Sequence, residues 1–119
     1  MAGEIKTFRD LVAWQKAMAV CRDIYRETAA MPEAERFGLT NQMRRAAVSI
    51  PSNIAEGYGR QSRADYVKFL RISRGSLMEL QTQYELAWSM HLIRQDGGLT
   101  DLLQEADRVL QGLIRSLQK

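Results

Sequence analysis

The feature that most constrains the fold of this chain is an apolar repeat with helical spacing in residues 66–91. Its positions are separated alternately by four and three residues over roughly seven turns, as in the seams of packed helices. They are Tyr66, Leu70, Ser73, Leu77, Leu80, Tyr84, Ala87 and His91. No segment alternates with period two for long enough to form a strand. The sequence therefore predicts an all-α fold with a long helix here, capped by Ser62 and supported by Asp65 near its start.

A first helix is predicted to begin near Phe8, because Thr7 and Asp10 have nearly the spacing of a capping box. It should end before Pro32, since the residue that precedes a proline avoids the α conformation. Its predicted seam is Leu11, Trp14, Met18, Cys21, Tyr25 and Thr28.

Two further segments complete the predicted architecture. A second helix should run from about Leu39 or Thr40, and its face contains many small residues: Leu39, Met43, Ala46, Ala47, Ile50 and Ile54. A fourth should open at Thr100, after a break at residues 96–98, with its apolar residues at Leu102, Leu103, Ala106, Val109, Leu110, Leu113 and Leu117. Short connections favour antiparallel neighbours, so we predict a single domain over residues 1–119 that forms an up-down four-helix bundle.

Pro51 lies inside the predicted second helix, where it lacks a backbone donor and clashes with the carbonyl of Ala47. We predict a kink rather than a break with a new helix at Pro51, because Ile50 and Ile54 keep the apolar register. Local hydrogen bonds should satisfy the freed backbone groups, from Ser49 or Ser52 and from Asn53. Gly57 is expected to end the helix, with the glycines of residues 57–59 supplying positive φ angles.

Composition points to an ordinary globular protein, with 45% apolar and 26% charged residues. No apolar run is long enough to span a membrane, and no secretory leader is evident, so we expect a cytoplasmic protein without a membrane partner. The single cysteine, Cys21, agrees with a reducing compartment.

Basic charge is concentrated in the middle of the chain. Residues 36–74 hold eight basic and two acidic side chains, whereas the remainder holds nine basic and twelve acidic ones. Such asymmetry is typical of proteins with a polyanionic partner. The candidate phosphate contacts are Arg44, Arg45, Arg60, Arg63, Lys68, Arg71 and Arg74, with Tyr58 as a ring for base stacking. The alternative is a solvated face whose arginines pair with Asp65 or Glu56.

A second stripe on the third helix consists of Phe69, Ile72 and Ser76, with Gln83 on the same side, and it lies outside the seam. It either widens the core or forms a contact between subunits. Trp14 and Trp88 add apolar area that a small bundle can hardly bury alone, which favours a homo-oligomer.

No motif indicates an enzyme. The glycines of residues 57–62 lack the third glycine and the preceding strand of a dinucleotide-binding fingerprint. His91 is the only histidine, and Glu79 and Glu85 belong to no Glu-x-x-His motif, so we expect no metal and no cofactor.

Three stretches carry a resemblance to a known family: residues 8–17 (FRDLVAWQKA), 38–57 (GLTNQMRRAAVSIPSNIAEG) and 69–80 (FLRISRGSLMEL). They resemble the bacterial four-helix-bundle family related to the 23S ribosomal RNA intervening-sequence proteins. The resemblance implies rings of five subunits, with Asn53 and Glu56 as candidates for fixing ring geometry. It also implies kinship with the accessory variability determinants of diversity-generating retroelements, which engage a reverse transcriptase and nucleic acid. For most members no activity is established.

Two functions follow as expectations. The first is a non-enzymatic, pentameric scaffold that binds the RNA or DNA backbone through its arginines without sequence specificity. The alternative is a protein-interaction scaffold, with a partner such as a reverse transcriptase, in which the arginines are structural. A third hypothesis is an enzyme that uses Glu56 and arginines on a phosphorylated small molecule, although the sequence offers no set of nucleophile or metal ligands for it.

Overall fold

The computed structural model describes residues 3–94 and 97–119, and within these ranges it contains four α-helices, two short 3-10 turns and no strand. The helices are α1 (Val12–Thr28), α2 (Leu39–Tyr58), α3 (Arg63–Ser89) and α4 (Leu99–Leu117). The 3-10 turns are Phe8–Asp10 and Glu33–Glu35. The prediction of an all-α chain with four helices is confirmed.

Each helix packs against two others, in the cyclic order α1, α2, α3, α4. The contacts run in opposite order along neighbouring helices. Between α2 and α3, the Oγ atoms of Ser49 and Ser76 lie 2.8 Å apart, and Ser73 donates a hydrogen bond of 2.8 Å to the carbonyl of Ile50. Near the start of α3, Arg63 reaches the backbone oxygen of Lys119, beyond the end of α4. This is the arrangement expected of an up-down bundle.

The core is a single cluster of buried apolar side chains contributed by all four helices. The seam predicted for α3 is buried from Leu70 to Ala87, and the small-residue face of α2 is buried from Met43 to Ile54. In α4 the core also takes in Leu99 and Ile114, which the sequence prediction omitted. The largest fully buried side chains are Ile24, Met43, Ile50, Ile54, Leu70, Leu77, Leu80, Leu99 and Leu110.

The seam predicted for α1 is partly wrong. Trp14 and Met18 are only half-buried, and Tyr25 is 45% exposed. The buried stripe is made mostly of smaller residues, namely Ala13, Ala17, Val20, Cys21, Ile24 and Thr28. Small side chains let α2 and α4 approach α1 closely, so the largest side chains lie at the edges of the contact.

The start of α1 also differs from its prediction. Thr7 and Asp10 do form a capping box, and backbone hydrogen bonds from Lys6 and Thr7 lower the pKa of Asp10. The capped element is the 3-10 turn Phe8–Asp10, and extended backbone at Leu11 separates it from α1.

The sequence predicts an interruption of helical structure at residues 96–98, before α4. Asp96 lies outside the described residues, whereas Gly97 and Gly98 have positive φ angles of 58° and 84°. Gly98 immediately precedes the first residue of α4, so the glycines supply a left-handed backbone at this boundary.

Helix α2 is continuous across Pro51, so the alternative of a new helix at this residue is wrong, while the kink stays a prediction. The carbonyl of Ala47 lacks its usual helical donor, because the residue four positions later is Pro51, which has no backbone N–H. The Sγ atom of Cys21 lies 2.9 Å from this carbonyl oxygen and donates to it from α1. The predicted local bonds serve other carbonyls, with Ser52 bonded to Val48 and Asn53 to Ser49.

The Cys21 thiol can donate this hydrogen bond because it keeps its proton. Burial raises the pKa of Cys21 to about 11, so the thiol is protonated at neutral pH. A residue predicted to be a small core side chain therefore also satisfies the backbone of the neighbouring helix.

Gly57 lies inside α2 rather than at its end, and its φ is not positive, contrary to the prediction. A Cβ atom at this position would lie 2.8 Å from the Cβ of Phe69 and 3.1 Å from the carbonyl oxygen of Tyr66. Glycine is needed here because α3 passes so close to α2.

We predict that Cys21 and Pro51 are energetically coupled. Cys21→Ala should lower the free energy of unfolding by about 1–3 kcal/mol, because it leaves a buried carbonyl without a donor. Pro51→Ala restores the backbone N–H, so in that background Cys21→Ala should cost about 1 kcal/mol less. Urea unfolding of the four proteins measures the difference, and strictly additive effects would contradict the assignment.

We also predict that Gly57→Ala destabilises the bundle by about 1–2 kcal/mol, since the methyl group has no space between α2 and α3. Gly59→Ala is the matched control. Its Cβ would meet the nearest atom at an ordinary 3.5 Å, and the φ of Gly59 is −78°. The control should change stability by less than about 0.5 kcal/mol. Equal thermal unfolding of the two variants would refute the close-approach explanation.

Candidate functional site

The structure does not bring the predicted phosphate contacts into one surface. Arg44 and Arg45 lie in the first half of α2, whereas Arg60 and Arg63 lie at the turn between α2 and α3. At 1.5 Å per residue, the two pairs are separated by about 24 Å along the helix. The predicted arc is therefore divided among several places on the bundle.

Two of these arginines are held by their own chain near the α2–α3 turn. Arg60 forms an ion pair of 2.7 Å with Glu56, and its guanidinium lies 4.6 Å from the centre of the Phe69 ring. Arg63 donates to the backbone oxygen of Lys119 at 3.3 Å. For Arg60, this is the intrachain pairing considered as the alternative in the sequence analysis.

Arg44 is also engaged within the chain. Its Nε donates to the Oγ1 of Thr28 at 2.9 Å, and its guanidinium lies 4.6 Å from the centre of the Tyr25 ring. Its neighbour Arg45 is exposed and has no hydrogen-bond or ion-pair partner in the described part of the chain.

A groove between α3 and α4 brings together Arg71, Arg74 and a third arginine, Arg115, that the sequence analysis did not select. We call this the basic groove. Its volume is about 430 Å³, and it is lined by Arg71, Arg74, Gly75, Met78, Gln111, Ile114 and Arg115.

Arg74 is fixed in the basic groove by Asp107 of α4. Its Nε and Nη2 donate to the two carboxylate oxygens at 2.8 and 3.4 Å. Gln111 donates to the same carboxylate at 2.7 Å. The hydrogen bond to Asp107 raises the pKa of Arg74 above its ordinary value, so this guanidinium stays charged.

Arg71 and Arg115 supply the surplus charge of the basic groove. Both are exposed, and neither has an ion-pair or hydrogen-bond partner among residues 3–94 and 97–119. Lys68, one turn before Arg71 on α3, is exposed and unpaired within the same ranges. The groove therefore offers guanidinium groups to an anion, with one of its arginines anchored by the bundle.

Tyr58, the predicted stacking ring, is half-buried. Its ring meets that of Tyr66 edge-on, with the centroids 6.1 Å apart, and burial raises the pKa of Tyr66 to about 12. Stacking of a base on Tyr58 stays a prediction, but part of its ring already packs within the bundle.

The predicted interface residues differ in how far they are engaged within the chain. Asn53 donates to Ser49, Ser76 bonds to Ser49, and Glu56 pairs with Arg60. Phe69 is half-buried beneath Arg60, whereas Ile72 is 44% exposed.

Two more exposed apolar side chains lie at the far end of α3. By helical spacing, Leu86, and Met90 just after α3, are on the same side as Ile72, although Glu79 and Gln83 lie between them and Ile72; we call Ile72, Leu86 and Met90 the outer apolar face. Trp88 is 45% exposed on a different side of α3. Gln83 is buried instead, and no hydrogen-bond partner for its Oε1 atom exists among the described residues.

The described residues contain no group of three or more His, Cys, Asp or Glu side chains that could hold a metal ion. His91 is exposed, just beyond α3, with a φ of 59°. A second α3–α4 pocket of about 320 Å³ is lined by Gln81, Tyr84, Glu85, Trp88, Thr100, Leu103 and Gln104. No helix among the described residues has the length and apolar character needed to cross a membrane.

Arg115 escaped sequence reasoning because it lies far along the chain from residues 36–74. One sequence signal could have found it, namely a pairing of Arg74 with Asp107. In antiparallel neighbours contacts continue in reverse order, so this pair places Arg71, one turn earlier on α3, near Gln111 and Arg115, further along α4.

No curated protein matches the chain. The model of the family described as 23S rRNA-intervening sequence protein matches residues 9–115, which include all four helices except the last two residues of α4. The chain therefore belongs to the 23S rRNA-intervening sequence protein family.

Proposed function

We propose that this chain is a non-enzymatic, self-associating four-helix protein of the cytoplasm that holds the phosphate backbone of RNA or DNA in the basic groove. The observation that carries the proposal is the meeting of Arg71, Arg74 and Arg115 between α3 and α4. Arg71 and Arg115 have no partner within the described ranges, and Arg74 is oriented by Asp107.

Guanidinium groups suit this ligand because their paired N–H donors match the geometry of phosphate oxygens. Phosphate contacts position a protein on nucleic acid but carry no sequence information, so binding should be independent of sequence. The family's name refers to a 23S rRNA-intervening sequence, which makes RNA the first polyanion to test.

The proposal includes assembly through the outer apolar face. Ile72, Leu86 and Met90 are exposed large apolar residues on one side of α3, and contact with a second copy would remove them from water. The ring of five subunits implied by the family resemblance would present five basic grooves to one polyanion. Such repetition raises the overall affinity beyond that of one groove.

We propose no catalytic step. The Cys21 thiol is buried and protonated at neutral pH, so it is a poor nucleophile. Glu56, the carboxylate considered for an enzyme, is engaged by Arg60.

A second candidate function is a protein-interaction scaffold, with a partner such as a reverse transcriptase. Phe37 favours it, because this aromatic side chain is 86% exposed in the loop between α1 and α2. In this alternative the arginines bind no nucleic acid directly. Capture of a protein partner that survives nuclease treatment would support it.

We predict that reversing both unpaired charges of the basic groove, with Arg71→Glu and Arg115→Glu together, weakens binding of single-stranded RNA by about tenfold or more at low salt. The slope of log affinity against log salt should become shallower by about two, one for each lost phosphate contact. Fluorescence anisotropy across a salt series measures both quantities.

Arg22→Glu is the matched control for a single charge reversal, because Arg22 is an exposed arginine on α1, the helix diagonally opposite α3 in the bundle. It should change the affinity much less than Arg71→Glu alone. Equal effects of these two single variants, or salt-insensitive binding, would argue against the basic groove.

We predict that the wild-type chain sediments as an assembly larger than one 13.6 kDa subunit and that Ile72→Asp releases monomers. A charge at this position would have to be buried without a partner in the interface. Val12→Asp serves as the control, since Val12 is a branched residue on α1 that is at least as exposed as Ile72. A monomeric wild type, or an Ile72→Asp variant of unchanged mass in light scattering, would show that the interface is wrong.

A further inference from the structure

A second groove, lined by residues of α1 and α2, lies on the other side of the bundle from α4. We call it the stacking groove. Its volume is about 550 Å³, and it is lined by Tyr25, Asn41, Arg44, Arg45, Val48 and Ser49. The groove is shallow and open to solvent, with room for a single nucleotide.

The stacking groove contains a prearranged aromatic–guanidinium pair. Arg44 lies over the ring of Tyr25 at 4.6 Å from the ring centre, and Tyr25 is 45% exposed. Arg44 is held there by its hydrogen bonds to the Oγ1 of Thr28 at 2.9 Å and to the carbonyl of Tyr25 at 3.4 Å. Tyr rings and arginine planes are the surfaces on which unpaired bases stack in proteins that bind single strands.

Unpaired polar groups surround this pair. Arg45 and Asn41 are exposed and have no hydrogen-bond or ion-pair partner in the described part of the chain. No carboxylate belongs to the lining, and the exposed side chain of Val48 adds an apolar wall. The Tyr25 ring and the apolar wall of Val48 suit a base, and the guanidinium of Arg45 suits a phosphate. The amide of Asn41 suits the polar edge of the base.

We propose that the stacking groove binds one unpaired nucleotide of single-stranded nucleic acid. The base stacks on the Tyr25–Arg44 pair, the phosphate contacts Arg45, and the amide of Asn41 bonds to the edge of the base. The inference rests on the proposed function in that the chain binds nucleic acid, but it uses different residues on different helices. It makes binding selective for single strands over duplex, because a paired base cannot reach the ring.

The test measures, by fluorescence anisotropy, the affinity of the full chain for two labelled hexanucleotides. One is oligoadenylate, and the other is an abasic strand with the same number of phosphates. Wild-type protein should prefer oligoadenylate. Tyr25→Leu should weaken oligoadenylate binding by about 5- to 50-fold, the effect of losing one stacked base, and leave abasic binding unchanged. Tyr25→Phe keeps a ring of the same size and should retain the preference, which separates stacking from the hydroxyl group.

Three outcomes would overturn the inference. If Tyr25→Leu binds oligoadenylate as tightly as the wild type does, the ring is not used. If it loses equal affinity for both strands, the effect is not base stacking. In either case Arg71→Glu with Arg115→Glu should still weaken abasic binding, so the proposed function stands. If wild-type protein binds neither strand at low salt, this inference and the proposed function fail together.

Discussion

The hydrogen bond from the thiol of Cys21 to the carbonyl of Ala47 joins α1 to the point in α2 where Pro51 interrupts the backbone hydrogen bonding. Pro51 cannot supply the N–H that this buried carbonyl normally receives, and without another donor the carbonyl would favour a break in the helix. Helix α1 provides this donor at 2.9 Å, and α2 continues through Pro51 from Leu39 to Tyr58. Helix α2 is thus able to pack along both α1 and α3.

That packing decides which cations are available to a ligand. Gly57 lets α3 approach α2 closely, and Arg60 then covers Phe69 while it pairs with Glu56. Arg44 of α2 is similarly held against α1, by Thr28 and the ring of Tyr25. Among the charges left without partners within the described ranges, Arg71 and Arg115 line the groove between α3 and α4, away from the α2–α3 contact. Of the basic side chains in residues 36–74, only some are therefore free of partners in the described part of the chain and available to a ligand.

The sequence predicted what local spacing controls. The seam of α3 was found because its four–three repeat is unbroken, and most of it is buried from Leu70 to Ala87. The seam of α1 was partly wrong because the small side chains, rather than Trp14 and Tyr25, face the neighbouring helices. The basic groove could not be predicted from residues 36–74 alone, since Arg115 joins it only through the pairing of α3 with α4.

The most direct test of the central claim is to observe the arginine side chains while RNA binds. In an NMR spectrum of arginine Nε–Hε groups, addition of a single-stranded RNA oligonucleotide should shift the signals of Arg71 and Arg115 strongly and that of Arg22 little. Phosphate bonded to a guanidinium changes the environment of these N–H groups directly. If RNA binds while Arg71 and Arg115 keep their free-state signals, the backbone is held elsewhere and the account is contradicted.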